Sequence, residues 1–242
     1  MDIPSRKAAL VPLLLAASLL AACSESETPA HDEAAGKVVS PPSSVADDLP
    51  QGSGFDFYVL ALSWSPTYCL NEGRGRNDRT QCGGDKAHGF IVHGLWPQFD
   101  NGYPEYCPTR ESDRVPDKLG RSVMDLTPSM GLIGHMWRKH GSCSGLTQND
   151  YFEVMRSARG RVTVPDGFSG GTGSRSVSPN QVETLFIESN PGLSSDAIAT
   201  ACSNGQLREV RICLTKSLSF RSCPQVDRSG CRAGSILVPP PG

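Results

Sequence analysis

The chain has no apolar run of membrane-spanning length. Its N-terminal run, Ala8 to Ala22, is fifteen residues long, short of the ~20 that a transmembrane helix needs. None of its nine cysteines forms a C-x-x-C pair, which argues against a cysteine-ligated zinc site. Positive charge is not in excess: 23 Lys and Arg stand against 25 Asp and Glu, a net charge of −2. That excludes a stoichiometric nucleic-acid coat protein, so any hold on a polyanion is local and modest. Neither an internal repeat nor a second domain boundary is visible. Histidine is scarce, at five residues.

What is present begins with an address. Arg6 and Lys7 precede the apolar run, so residues 1–22 read as an export signal. The run ends Leu20-Ala21-Ala22-Cys23, which looks like a bacterial lipoprotein processing site, with Cys23 as the lipid-carrying mature N-terminus and membrane anchor. Ser24 after it, rather than aspartate, points to an outer-membrane lipoprotein facing the periplasm, with a periplasmic or cell-surface position as the alternative. Residues 23–53 hold Pro29, Pro41, Pro42 and Pro50 among Ser, Ala, Glu and Asp. Such a stretch cannot bury enough surface to fold and reads as a flexible acidic linker. An odd cysteine count in an exported chain needs a reason. Lipidating Cys23 supplies it and leaves eight cysteines between Cys69 and Cys231, an oxidised framework whose pairing is open among about 105 possibilities.

Residues 54–242 fit one domain with a real core. Phe55–Trp64 (FDFYVLALSW) is apolar and aromatic enough for a buried strand. Gly89–Leu95 reads as a shorter second strand with Gly94 at its end. Thr127-Pro128 opens a helix that runs to His140 and stops at Gly141. Gln148–Arg159 is a helix with Tyr151, Phe152 and Met155 as its apolar stripe. Ser178-Pro179 caps another through Ile187. Leu207–Leu214 alternates as a late strand, Leu207, Val210 and Ile212 against Arg208, Glu209 and Arg211. Gly160–Ser178, rich in glycine and serine, is the least ordered-looking internal stretch. The irregular mixture predicts an α+β fold, a mostly antiparallel central sheet packed with several helices.

Two segments carry the chemistry: Phe90-Ile91-Val92-His93-Gly94-Leu95-Trp96-Pro97 and His135-Met136-Trp137-Arg138-Lys139-His140-Gly141-Ser142-Cys143. At about 100° per residue, His135, Lys139, Met136 and His140 project from one side of a helix, while Trp137 at about 200° faces away. Two imidazoles and an ammonium on one face are costly unless an anion sits there. Taken singly, H-x-x-x-x-H is more often a solvated helix face, His93 an ordinary part-buried histidine and Trp96 a core residue. A metal site fits poorly, since the spacing is not H-E-x-x-H and no carboxylate lies in the motif. Jointly, one imidazole as base, another as acid and further cations for phosphate suffice to cleave a phosphodiester without a metal.

Together the segments resemble the two active-site motifs of the ribonuclease T2 family, and Leu62-Ser63-Trp64-Ser65-Pro66-Thr67-Tyr68-Cys69 resembles its N-terminal strand. The resemblance spans roughly residues 55 to 231. It implies the T2-like fold, with disulfides Cys107–Cys143, Cys202–Cys231 and Cys213–Cys223, leaving Cys69 to Cys82. Each closed loop stabilises such a fold by roughly 2–4 kcal/mol. It also implies a metal-independent endonuclease without cofactor, a monomer by default, acting on single-stranded RNA through its 2′-hydroxyl. His140 is then the general base, His93 the general acid, His135 a phosphate ligand and Lys139 the cation for developing charge. Trp96 is the expected base-stacking plate, with Gln98 and Tyr103 beside it as substrate-binding residues.

Met136 departs from the pattern: the family usually has glutamate there, in some members glutamine. A thioether cannot donate a hydrogen bond and accepts only weakly. By analogy with losing one oxyanion-hole donor, the expected cost is roughly 10²–10³ in rate, which gives a slow enzyme. The competing reading is a catalytically impaired RNA-binding or interaction protein on the same fold, which Met136 favours and the intact His93, His135, Lys139 and His140 oppose.

Overall fold

The computed structural model describes residues 49–73, 75, 79–83 and 88–241. The expected export signal, the expected lipidation at Cys23 and the expected linker up to residue 48 lie outside the described residues. From Leu49 the chain already belongs to the domain. Leu49 packs on the core, and the Ser53 N–H donates to Ser144 O at 2.9 Å.

The apolar stretch Phe57–Trp64 forms β1, buried along nearly its whole length. It pairs antiparallel with β2 (Phe90–Gln98) on one side and β5 (Gln206–Leu214) on the other. β4 (Ile198–Ser203) pairs antiparallel with β5, and β3 (Arg175–Val177) with β6 (Ile236–Val238). Among the described residues, the one parallel contact joins Gln206 of β5 to Leu237 of β6. The fold is therefore α+β, with a mostly antiparallel six-stranded sheet. Its helices are α1 (Ser65–Asn71), α2 (Arg79–Cys82), α3 (Asp117–Ser122), α4 (Met130–Lys139), α5 (Gln148–Gly160), α6 (Pro179–Ser189) and α7 (Pro224–Arg228).

Strand β1 buries both faces because it divides two cores. Tyr58, Leu60, Leu62 and Trp64 enter the main core with Trp137, Tyr151 and Phe186. Phe57 and Val59 point the other way, into a small cluster with Ala199, Cys213, Cys223 and Val226. Both neighbours of β1 break period at one residue. Along β2, Leu62 faces Val92 and Ala61 faces Gly94, leaving His93 as an extra residue. Along β5, Cys202 of β4 faces Leu207 and Ala201 faces Glu209, leaving Arg208 extra. Such bulges re-aim side chains, and these two turn theirs away from the main core.

Several local expectations need correction. β2 runs on to Gln98, through Gly94 rather than ending near it. Its glycine is required because a Cβ there would lie 2.3 Å from Trp96 Nε1; the indole, not a ligand, makes the close approach. Helix α4 starts at Met130, capped by Ser129, whose hydroxyl accepts from the Leu132 N–H at 3.3 Å. Thr127 instead fastens the preceding turn to the sheet edge: its hydroxyl donates to Val92 O at 2.7 Å, and the Val92 N–H donates to Leu126 O at 2.9 Å. Residues 160–178 are tied to the domain by Phe168, buried against Trp64, Phe90 and Phe186, together with buried Val162 and the pairing of β3 with β6. Helix α6 begins as expected, with a reciprocal cap between Ser178 and Gln181.

Disulfides join Cys69 to Cys82, Cys107 to Cys143, Cys202 to Cys231 and Cys213 to Cys223, the three pairs the family resemblance implies and the one it leaves over. Cys107–Cys143 matters most for the site. It ties the loop after β2 to the turn after α4, and the Tyr106 N–H adds a bond to Lys139 O at 2.9 Å.

Candidate active site

Helix α4 is anchored by its apolar side. Ile133, Met136 and Trp137 are buried, and Trp137 Nε1 donates to Ser112 O at 2.8 Å, on the side opposite His135. The helix ends at His140, whose backbone leaves regular geometry (φ −120°) while its N–H still donates to Met136 O at 3.0 Å. Gly141 follows because any Cβ there would meet Trp137 Cε3 at 2.4 Å. The helix therefore presents His135, Met136, Lys139 and His140 at its C-terminal end.

These four meet His93, Trp96, Gln98 and Tyr103 around one cleft of about 310 Å³. The seven residues expected to bind or act on substrate, and Met136 with them, thus line a single space. Met136 belongs to both cleft and core: it is 1 % exposed, yet forms part of the wall. A second cavity of about 420 Å³ lies alongside and shares His93, His135 and Arg208 with the first. The junction of the two is where the histidines stand.

Three charged residues of β5 were not expected here: Arg208, Glu209 and Arg211. Glu209 is 2 % exposed. One carboxylate oxygen contacts His93 Nδ1 and the other accepts from Arg211 Nε at 2.7 Å. Burial drives its pKa up, but the hydrogen bonds and positive charges of His93 and Arg211 outweigh burial and hold it below the usual carboxylate range. The signal for this residue was in the sequence. The apolar positions step by three from Leu207 to Val210, then by two to Ile212 and Leu214. A strand that slips by one in this way carries a bulge, and its next polar residue can face inward.

The two histidines flanking Trp96 sit in unlike surroundings. His140 stacks on the indole with ring centroids 5.1 Å apart, while His93 meets it edge-on at 5.5 Å. His140 is buried, and no group among the described residues bonds its Nδ1. Burial, reinforced by the positive charges of Lys139, His93 and His135, pushes its pKa down to about 3, against a smaller upward pull from Glu209. His135, more exposed, is also lowered, by burial and then by Lys139, Arg138 and His93. Lys139 has an acidic neighbour, Glu105, 3.3 Å from its Nζ. Among the described residues, no group of three or more His, Cys, Asp or Glu is arranged to hold a metal ion.

Comparison with known proteins agrees on family and fold. A model of the ribonuclease T2 family matches residues 55–223. A ribonuclease of Aeromonas hydrophila is 39% identical over 127 residues, which cover 52% of this chain and 55% of that protein. A probable ribonuclease of Haemophilus influenzae is 28% identical over 179 residues, 69% of this chain and 61% of the relative. The chain thus spans little more than half the length of these bacterial relatives. Among solved structures, RNase NT in complex with 5′-AMP superimposes with a TM-score of 0.61 at 24% identity, covering 78% of this chain and all of that one.

Proposed function

The chain belongs to the ribonuclease T2 family, and from that premise we propose that it is an endoribonuclease that cleaves single-stranded RNA by internal transesterification. The observation that carries the reading is the meeting of His93 and His140 across one cleft in opposite electrostatic settings. His140, pushed down to about 3, is neutral, the state a general base must start from. His93, with a carboxylate on Nδ1, is set to give one.

The steps follow from those states. His140 takes the proton of the ribose 2′-hydroxyl as the oxygen attacks phosphorus. The bond from phosphorus to the 5′-oxygen breaks, and His93 protonates that leaving oxygen. The product is a 2′,3′-cyclic phosphate. In the second step the roles reverse: His93 takes a proton from water as it attacks phosphorus, His140 protonates the departing 2′-oxygen, and a 3′-phosphate results. Lys139 and His135 offset the charge gathering on the non-bridging oxygens, and Arg208, where the two cavities meet, adds a further cation. Trp96 with Gln98 and Tyr103 forms the wall against which a base rests. DNA, lacking the 2′-nucleophile, is not a substrate.

Met136 supplies no donor to that transition state, so the enzyme is slow, by roughly 10²–10³ on the analogy of one lost donor. The same residue is the observation that favours the second reading, an RNA-binding protein without turnover. The four disulfides fit an exported protein, and with the Cys23 sequence they support an outer-membrane lipoprotein facing the periplasm. The test is to incubate the oxidised protein with single-stranded RNA and excess EDTA between about pH 5 and 7, beside its His93→Ala variant. Cyclic phosphate ends that vanish in the variant are expected. Well-folded protein that binds RNA and never cuts it would transfer the case to the second reading.

A further inference from the structure

The buried acid of β5 has no part in the steps above, yet it touches one of their two histidines. We propose that Glu209, held as an anion by Arg211, is the positioning residue for His93: it fixes the Nδ1-protonated form, so that Nε2 is the nitrogen offered to the leaving oxygen. The inference rests on the ribonuclease reading for its kinetic consequences, but not for its geometry.

Three observations converge. First, Glu209 reaches His93 only because β5 slips by one residue at Arg208. Without that slip, a residue two after Leu207 would turn to the main core. Second, both carboxylate oxygens are engaged, one by His93 Nδ1 and one by Arg211 Nε at 2.7 Å. A carboxylate bonded to Arg211 stays ionised and is a poor acceptor for the whole proton, so the imidazole keeps it. Third, an imidazole has two nitrogens, and engaging Nδ1 leaves Nε2 alone to meet substrate. Arg211 in turn lies over the Trp96 ring at 5.5 Å, so acid, histidine and aromatic wall are braced as one unit.

The simpler account is a structural ion pair that merely satisfies Glu209. The two accounts differ in what they predict for a variant that keeps the shape and loses the charge. The charged and titratable groups around His93 are Glu209, Arg208 and Arg211 from β5, His135 and Lys139 from α4, His140 just after it, and Glu72 across the second cavity, with Glu105 paired to Lys139. Glu209 is the carboxylate in contact with the ring, so Glu209→Gln removes the anion that touches His93 and leaves the nearby cations in place. The expected result is a fall in kcat on single-stranded RNA of about 10–100-fold, as for other partners that orient a functional histidine, with KM changed less than about 3-fold. The alkaline limb of the rate profile moves to lower pH by about one unit. In a His93→Ala background the same substitution has a much smaller effect on rate, because its main route is through that imidazole.

Nitrogen-15 spectra of the histidine rings in the full-length wild-type protein provide a readout free of activity. They should show His93 carrying a proton on Nδ1 across the neutral range. Unchanged kcat and pH profile in Glu209→Gln, or a spectrum with His93 Nδ1 unprotonated in the wild type, overturns the proposal. If the variant does not fold, the wild-type spectrum decides. If the wild type folds but does not cleave RNA, the ribonuclease reading fails, and the spectrum still settles what Glu209 does.

Discussion

At the bulge of β2, His93 has a buried carboxylate on one ring nitrogen and keeps about a third of its side chain exposed. At the end of α4, His140 has an indole against its face, no partner on Nδ1 among the described residues and almost no exposure. The two residues are chemically identical, and only their surroundings tell them apart. Burial among positive charges disfavours the charged form of His140, whereas His93 has an anion in direct contact with its ring. A strand bulge and a helix terminus thus give two imidazoles opposite surroundings, which on the proposed mechanism are those of an acid and a base.

The sharpest way to break this comparison is to delete each imidazole. Replacing either His93 or His140 by alanine should lower kcat/KM by about 10²–10⁴-fold. Their stabilities should then diverge. His93→Ala strands the buried Glu209 carboxylate with one partner fewer, at a cost of about 1–3 kcal/mol, whereas His140→Ala leaves no orphaned charge. Equal melting temperatures for the two variants would contradict the role given to the β5 acid.

Next in size is Met136→Glu, which should raise kcat about 10²-fold if the missing hydrogen-bonding group is what slows the enzyme. Because Met136 is 1 % exposed and part of the main core, the variant should also melt lower. A slower variant would show that the wall has been rebuilt around the thioether.

A third test uses acid. The folded pKa of His140 lies near 3, below its ordinary 6.5, so the unfolded chain takes up its proton first. Stability is therefore lost as pH falls from about 6.5 towards 3. Glu209, held below its usual range, adds stability above the ordinary carboxylate value, and that too is lost on acidification. In His140→Ala the first contribution is absent, so its melting temperature should fall less steeply between about pH 6.5 and 4 than that of the wild type. Parallel curves would mean that His140 is not held neutral. Because His140 stays neutral far into acid, activity should also persist to lower pH than an ordinary histidine base allows.

The same comparison explains what the sequence let one read. The α4 residues were legible because a helix keeps its period: fixed angular spacing put His135, Met136, Lys139 and His140 on one side and Trp137 on the other before any coordinates. The strands were harder because their period breaks at the point where function sits. Val92 to Leu95 and Leu207 to Val210 are steps of three inside runs of two, so a simple division into an apolar and a polar face grouped Glu209 with Arg208 and Arg211 and hid its place in the site. Phe168 was missed for another reason. A single aromatic in a glycine-rich stretch has no periodicity at all, and only the pocket between Trp64, Phe90 and Phe186 shows that it has a place. The family motifs supplied long-range links, above all the disulfides, that no local pattern contains.

The smallest expected effect separates the two aromatic walls. Trp96 touches both histidines and Arg211, so replacing it disturbs the acid, the base and the base-binding surface together. Tyr103 lines the same cleft but is 57 % exposed and stands on the loop after β2. Its ring can stack on a base without touching the proton-transfer groups, a contact of about 1 kcal/mol at so exposed a site. Tyr103→Ala should therefore raise KM about 5-fold on single-stranded RNA and leave kcat alone, the mark of a contact made equally in ground and transition states. Trp96→Phe should instead lower kcat, because the cover over His140 shrinks. If both variants altered only KM, the indole would be a passive plate, and the unlike surroundings of the two histidines would have to arise without it.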